Sequence, residues 1–208
     1  MAAVLTTRLP KWFMPNFFLT RPRPEWIESV LRREKASHLS YDIVGHTSSG
    51  APGGKWDWHE EALTLGTGGE TWARACVALR GWTQFKMSWV TPFDATVPLE
   101  VGEHFAFISQ QMGVWSVNVC RIVYTIDEGD DAEQRFGFAY GTLASHAVRG
   151  EEQFLLRWDT ATDEVTFSIR KFSQPAALIT RVVAPLTRSI QAKFTHDALR
   201  RLAQEVST

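Results

Sequence analysis

Val114-Trp115-Ser116-Val117-Asn118-Val119-Cys120-Arg121-Ile122-Val123-Tyr124 and, further on, Arg135-Phe136-Gly137-Phe138-Ala139-Tyr140-Gly141-Thr142-Leu143 are the stretches whose reading decides the fold. Both are rich in β-branched and aromatic residues, and both alternate with a period of two. The run Asp127-Glu128-Gly129-Asp130-Asp131 between them is turn-forming, so they read as two long antiparallel strands. In the first strand Ser116, Asn118, Cys120, Ile122 and Tyr124 share one phase, and Trp115, Val117, Val119, Arg121 and Val123 the other. In the second, Phe136, Phe138, Tyr140 and Thr142 oppose Gly137, Ala139, Gly141 and Leu143. Neither face carries the charge of a solvated surface, so both sides of the sheet need a cover.

The neighbouring chain extends this sheet. Residues 153–158 and 165–172 read as the next two strands, joined by the polar turn 159–163. Upstream, 104–109, 87–91 and 59–65 have strand character, and 39–44 is a further candidate. Gly66-Thr67-Gly68-Gly69 precedes a helix expected from Glu70 or Thr71 to Trp82; without a Gly-Lys-Ser/Thr ending it reads as a tight strand-to-helix turn rather than a phosphate loop. The glycines and alanine at 137, 139 and 141 mark close approach of a neighbouring element or leave room for a ligand; close approach is the favoured reading.

Two amphipathic helices flank the sheet. Residues 25–34 place Trp26, Val30 and Leu31 at helical spacing, with acids early and Arg32 and Arg33 late. From Pro175 to about Val206 the period becomes helical, with Leu178, Val182, Leu186, Ile190, Phe194, Ala198 and Leu202 four apart and a break expected near Pro185. The reading is an α+β fold, a curved antiparallel sheet wrapped around a long C-terminal helix. Residues 1–35 form an aromatic and basic arm with a short helix, and 36–208 a single domain. The arm or a second subunit would cover the sheet face that the C-terminal helix leaves open, which makes a homodimer one expectation.

The 208-residue chain has a formal net charge of -1, which offers no general attraction to nucleic acid or anionic membranes. No run is long and apolar enough for a membrane span. Cys76 and Cys120 fall inside regular elements and imply a reducing compartment, read here as the cytoplasm. The basic arm, with Arg8, Lys11, Arg21 and Arg23, supplies an organelle-targeting alternative. His59-Glu60-Glu61 lacks the second histidine of a zinc-protease motif, and His46, His59, His104 and His146 lack ligand spacing, so no metal and no cofactor are expected.

Polar and aromatic residues set into the apolar sheet are the candidate ligand contacts: Asn118, Tyr124, Phe138, Tyr140, Glu152, Ser168 and Arg170. Tyr124 and Tyr140 are expected to line one cavity, and Glu152 and Arg170 to sit on adjacent strands as a cross-strand pair. Tyr140, His146, Glu151 and Glu152 could instead serve as general acid and base, although no motif names a reaction.

Residues 118–124, 135–146 and 150–154, together with Leu65-Gly66-Thr67-Gly68, Val101-Gly102 and 169–175, resemble the family called domain of unknown function 1990, also labelled UPF0548. The resemblance covers roughly residue 41 to the C-terminus, and it implies a fold similar to the START/Bet v 1-like helix-grip group. It brings no catalytic residue. Fold-level analogy then suggests a protein that holds a small hydrophobic molecule between sheet and helix, with a cofactor-independent cyclase or dehydratase and an interaction module as alternatives.

Overall fold

The computed structural model describes residues 16–144, 146, 148–175 and 184–208, with no side chain described at 175 or 184–187. Eight strands form one antiparallel sheet: β1 (Phe17–Phe18), β2 (Asp57–Thr67), β3 (Val90–Pro92), β4 (His104–Gln111), β5 (Val114–Gly129), β6 (Glu133–Thr142), β7 (Val148–Asp159) and β8 (Glu164–Pro175). Their order is β2-β8-β7-β6-β5-β4-β3, and β1 pairs with the first residues of β5. The sheet curls into a half-barrel around α3 (Ala184–Val206), with α2 (Gly68–Arg80) beside it. This is the α+β helix-grip arrangement implied by the resemblance.

The concave face follows directly from strand phase. Phe105 and Phe107 of β4, Cys120 and Ile122 of β5, Phe136, Phe138 and Tyr140 of β6, Phe154 and Leu156 of β7, and Phe167 and Ile169 of β8 form one core. Against them pack Ala75 and Leu79 of α2 and Phe194, Ala198, Leu199, Leu202 and Val206 of α3. The expected helical stripe is therefore buried from Phe194 onward. Its earlier members, Leu178, Val182 and Leu186, lie outside the described residues or side chains. Ile27 and Val30 of α1 (Pro24–Glu34), with Phe18 of β1, cover Ala106, Ile108, Val117 and Val119 on the convex face.

Residues 39–56 cover the convex face around Gly141, Glu151 and Phe172, while Arg135, Arg157 and Arg170 on the same face make exposed ion pairs. The expected strand there reduces to one bridge, Leu39 to Leu143, because the segment lies across the sheet face instead of beside an edge. Phe172 is ringed by Tyr41, Trp56 and His46, with centroids 5.5, 5.1 and 6.4 Å away. A Cβ on Gly141 would stand 2.3 Å from Tyr41 Oη, so the small residue there admits a neighbouring side chain, as close-approach glycines do.

Gly66 (φ 144°) and Gly68 (φ 85°) turn the chain from β2 into α2. Gly68 N–H donates to Asp163 O on the β7–β8 turn at 2.9 Å, so this loop is a packed structural turn.

Candidate functional site

The strand register decides which polar side chains can meet. Tyr140, Glu152 and Lys171 are successive partners across β6, β7 and β8, and all three project to the concave side beneath α3. Tyr140 Oη donates to Glu152 Oε2. Lys171 Nζ lies 3.6 Å from Glu152 Oε1 and donates to Gln191 O (2.8 Å) and Thr195 Oγ1 of α3. Gln191 Nε2 also donates to Ser173 Oγ at 3.2 Å, so the polar row ties helix to sheet. Burial together with the Glu152 charge raises the Tyr140 phenol well above its ordinary range, whereas burial lowers the Lys171 ammonium against the opposing pull of Glu152.

Side chains of the concave face are buried to different degrees, and Phe136 (6%) keeps some surface at the β5–β6 hairpin end. Phe138, Phe154, Phe167, Ile169 and Leu202 are 0% exposed, while Tyr140 (5%), Glu152, Lys171 and Asn118 (7%) and Phe107 and Phe194 (8%) keep a residue of surface. These six come from the ends of β4 to β8 nearest the β6–β7 turn and from the N-terminal half of α3. Glu152 Oε1 is buried there without a hydrogen-bond partner, as is His146 Nε2 in the β6–β7 turn. The His146 ring stands 6.2 Å from Phe107, its Nδ1 is engaged by Val148 backbone at 2.9 Å, and burial pushes its pKa down to about 4.

Of the expected ligand contacts, Asn118, Phe138, Tyr140 and Glu152 share this concave face, with Phe138 in its sealed part against Trp82 (5.3 Å) and Phe154 (5.4 Å). Asn118 Nδ2 donates to Ser116 Oγ at 3.0 Å. The structure does not bring Tyr124, Ser168 or Arg170 to it. A register shift between Ile122 and Tyr124 inserts an extra residue, so Tyr124 pairs with Ala139 and turns to the convex side. There its hydroxyl meets Thr47 Oγ1 (2.6 Å) and Gln153 Nε2 (3.0 Å), and burial pushes its pKa up to about 12. The expectation that Tyr124 and Tyr140 line one cavity is thus corrected.

Ser168 and Arg170 alternate with Phe167 and Ile169 and so face away from α3. Ser168 Oγ lies 3.4 Å from Leu155 O, and Arg170 pairs with Glu60 at 2.7 Å. Arg170 stands opposite Gln153, not Glu152; the true partner of Glu152 is Lys171. That lysine was legible, because it occupies the same phase as Val165, Phe167 and Ile169, where a charge has no place unless it is paired.

Glu151, one residue from Glu152, points the opposite way and is fully engaged. It accepts from Tyr41 Oη (2.8 Å), Gly45 N (2.6 Å), Thr47 N (2.9 Å) and Thr47 Oγ1 (2.5 Å), which fastens residues 41–47 to the convex face. It has no spare capacity for acid–base work. The histidines do not converge either: His46 lies against Phe172, and His59 is 3.4 Å from Glu61. Among the described residues no group of three or more His, Cys, Asp or Glu is placed to hold a metal ion, and no helix is long and apolar enough to cross a membrane.

At the opposite end of the half-barrel, α2 and the β5–β6 hairpin enclose an open groove of about 380 Å³ lined by Trp72, Cys76, Arg80, Asp127 and Phe136, among others. Arg80 is held within it, 4.0 Å above the Phe136 ring and 3.7 Å from Asp127.

Comparison with known proteins places the chain. The family model described as Domain of unknown function (DUF1990) matches residues 40–201. The chain belongs to that family. A UPF0548 protein of Deinococcus radiodurans is 33% identical over 202 residues, covering 90% of this chain and 98% of its own. A UPF0548 protein of Dictyostelium discoideum is 33% identical over 160 residues, 74% of each chain. Among solved structures, hypothetical protein jhp0584 from Helicobacter pylori superposes with a TM-score of 0.50 at 11% identity, covering 81% of this chain and 98% of its own. Ara h 8.0201 gives 0.43 at 12% identity, covering 73% and 97%. For this DUF1990 chain the likeness to jhp0584 concerns the fold.

Proposed function

We propose that the protein binds a small hydrophobic molecule at the β6–β7 end of the concave face, between the sheet and the N-terminal half of α3. The observation that carries this reading is the gathering of polar side chains, Asn118, Tyr140, Glu152 and Lys171, at one end of a concave face whose other members are mostly apolar. With Phe107 and Phe194 they make six side chains at that end. Those six combine aromatic walls, Phe107, Tyr140 and Phe194, with a few polar groups, the composition of small-molecule sites. Glu152 Oε1 supports the reading further, because it accepts no hydrogen bond and has only the Lys171 ammonium 3.6 Å away, which leaves it room for a ligand's donor.

A carrier or receptor role is favoured over acid–base catalysis. The Tyr140 phenol is held by Glu152 and raised far from neutrality, so it is poorly matched to proton exchange near pH 7. The test is thermal unfolding of the full chain with 2-naphthol, alongside native mass spectrometry of the protein as purified. Binding at a hundred times Kd stabilises by about 2.7 kcal/mol, which is a readable shift in Tm. No shift with 2-naphthol and no bound molecule in the spectrum would overturn the reading.

A further inference from the structure

The hydrogen-bonding inventory at this end of the sheet is lopsided. Tyr140 O–H is committed to Glu152 Oε2, and Lys171 directs its protons to Gln191 O and Thr195 Oγ1 with Glu152 3.6 Å away. Asn118 donates to Ser116 Oγ. What is left over beside them is acceptor capacity on Glu152 Oε1, which has the Lys171 ammonium at 3.6 Å but accepts no hydrogen bond, in a residue that is 7% exposed.

We infer that the molecule bound here presents a hydrogen-bond donor, a hydroxyl or an N–H, to Glu152, and that the site selects against molecules ending in a carboxylate. The inference rests on the proposed binding site and names the class of ligand it takes. A hydroxyl or amide N–H gives Glu152 Oε1 a hydrogen bond beside its ion pair with Lys171 and leaves Tyr140 and Lys171 where they are. A carboxylate would bring a second negative charge against Glu152 in a poorly hydrated place, where like charges repel strongly. To bind, it would have to pull Lys171 away from Gln191 and Thr195, and so loosen the tie between β8 and α3. Rejection of the wrong ligand by charge repulsion is a common source of specificity.

The experiment compares three ligands of one shape on the unaltered full chain: 2-naphthol, 2-naphthamide and 2-naphthoate, with affinities from titration calorimetry at pH 7.5. The expected result is that 2-naphthol and 2-naphthamide bind and that 2-naphthoate binds at least about tenfold more weakly, the factor set by one hydrogen bond to a charged group. In Glu152→Gln, which keeps an acceptor and removes the charge, the ratio of 2-naphthol to 2-naphthoate affinity should fall towards one. Equal affinity for 2-naphthol and 2-naphthoate on the unaltered protein overturns the inference and leaves the binding site standing. Failure of all three to bind overturns the site itself.

Discussion

Lys171→Met tests the buried polar row directly. Methionine keeps an unbranched chain of similar length, but it removes the ammonium 3.6 Å from Glu152 Oε1 and its bonds to Gln191 O and Thr195 Oγ1. Glu152 would keep the Tyr140 hydroxyl and lose its counter-charge, while both groups remain inside the protein. Removing one partner of a buried pair costs about 3–5 kcal/mol, because the remaining charge is stranded. Replacing the whole row by apolar side chains should not carry that penalty. The triple variant Lys171→Met, Glu152→Leu, Tyr140→Phe leaves no stranded charge and no unpaired phenol, so it should recover most of the loss. Urea unfolding followed by tryptophan fluorescence and far-UV circular dichroism, with m-values compared, measures both. A single variant within about 0.5 kcal/mol of the parent, the range of ordinary surface changes, would refute the buried pair. A triple variant no better than the single would refute the stranded charge as the cause.

Three further outcomes follow from particular contacts. Phe194→Ala removes a ring that packs against Phe85 at 5.4 Å and Phe107 at 6.3 Å, and should cost about 3–5 kcal/mol in the same unfolding experiment. Tyr124→Phe should leave 2-naphthol affinity unchanged while lowering stability by about 1–3 kcal/mol, since Thr47 and Gln153 lose their shared partner on the convex face; altered binding with unaltered stability would contradict that placement. His146 has a folded pKa of about 4 against 6.5 for the free side chain, so the unfolded chain binds more protons between these values. Its contribution, up to about 3 kcal/mol, is present above pH 6.5 and lost as pH falls towards 4. A stability profile over that window should flatten in His146→Phe, and an identical slope in both proteins would exclude His146 as its source.

The sheet was legible because its strands are long and strictly alternating. Residues 153–158 and 165–172 lie within β7 and β8, and the helical stripe from Phe194 to Leu202 meets the concave face. The site was legible only in part, for reasons that differ by residue. Asn118, Tyr140 and Glu152 obey simple strand phase. Tyr124 does not, because one extra residue in β5 reverses its face, and nothing in the local composition announces a bulge at Val123. Arg170 and Ser168 are polar but out of phase with the concave face, whereas Lys171 is the one charge in β8 set among its buried apolar positions. The covering segment 39–56 could not be read from periodicity, since its contacts are single side chains, Tyr41, His46, Thr47 and Trp56, fixed by Glu151 and Phe172 across the fold.

The proposed binding site is tested most directly by backbone amide chemical-shift mapping of the ¹⁵N-labelled chain during titration with 2-naphthol. The prediction is that saturating shifts cluster at Phe107, Asn118, Tyr140, Glu152, Lys171 and Phe194. Shifts confined to Trp72, Cys76 and Phe136, in the groove between α2 and the β5–β6 hairpin, would place the ligand at the opposite end of the half-barrel and contradict it.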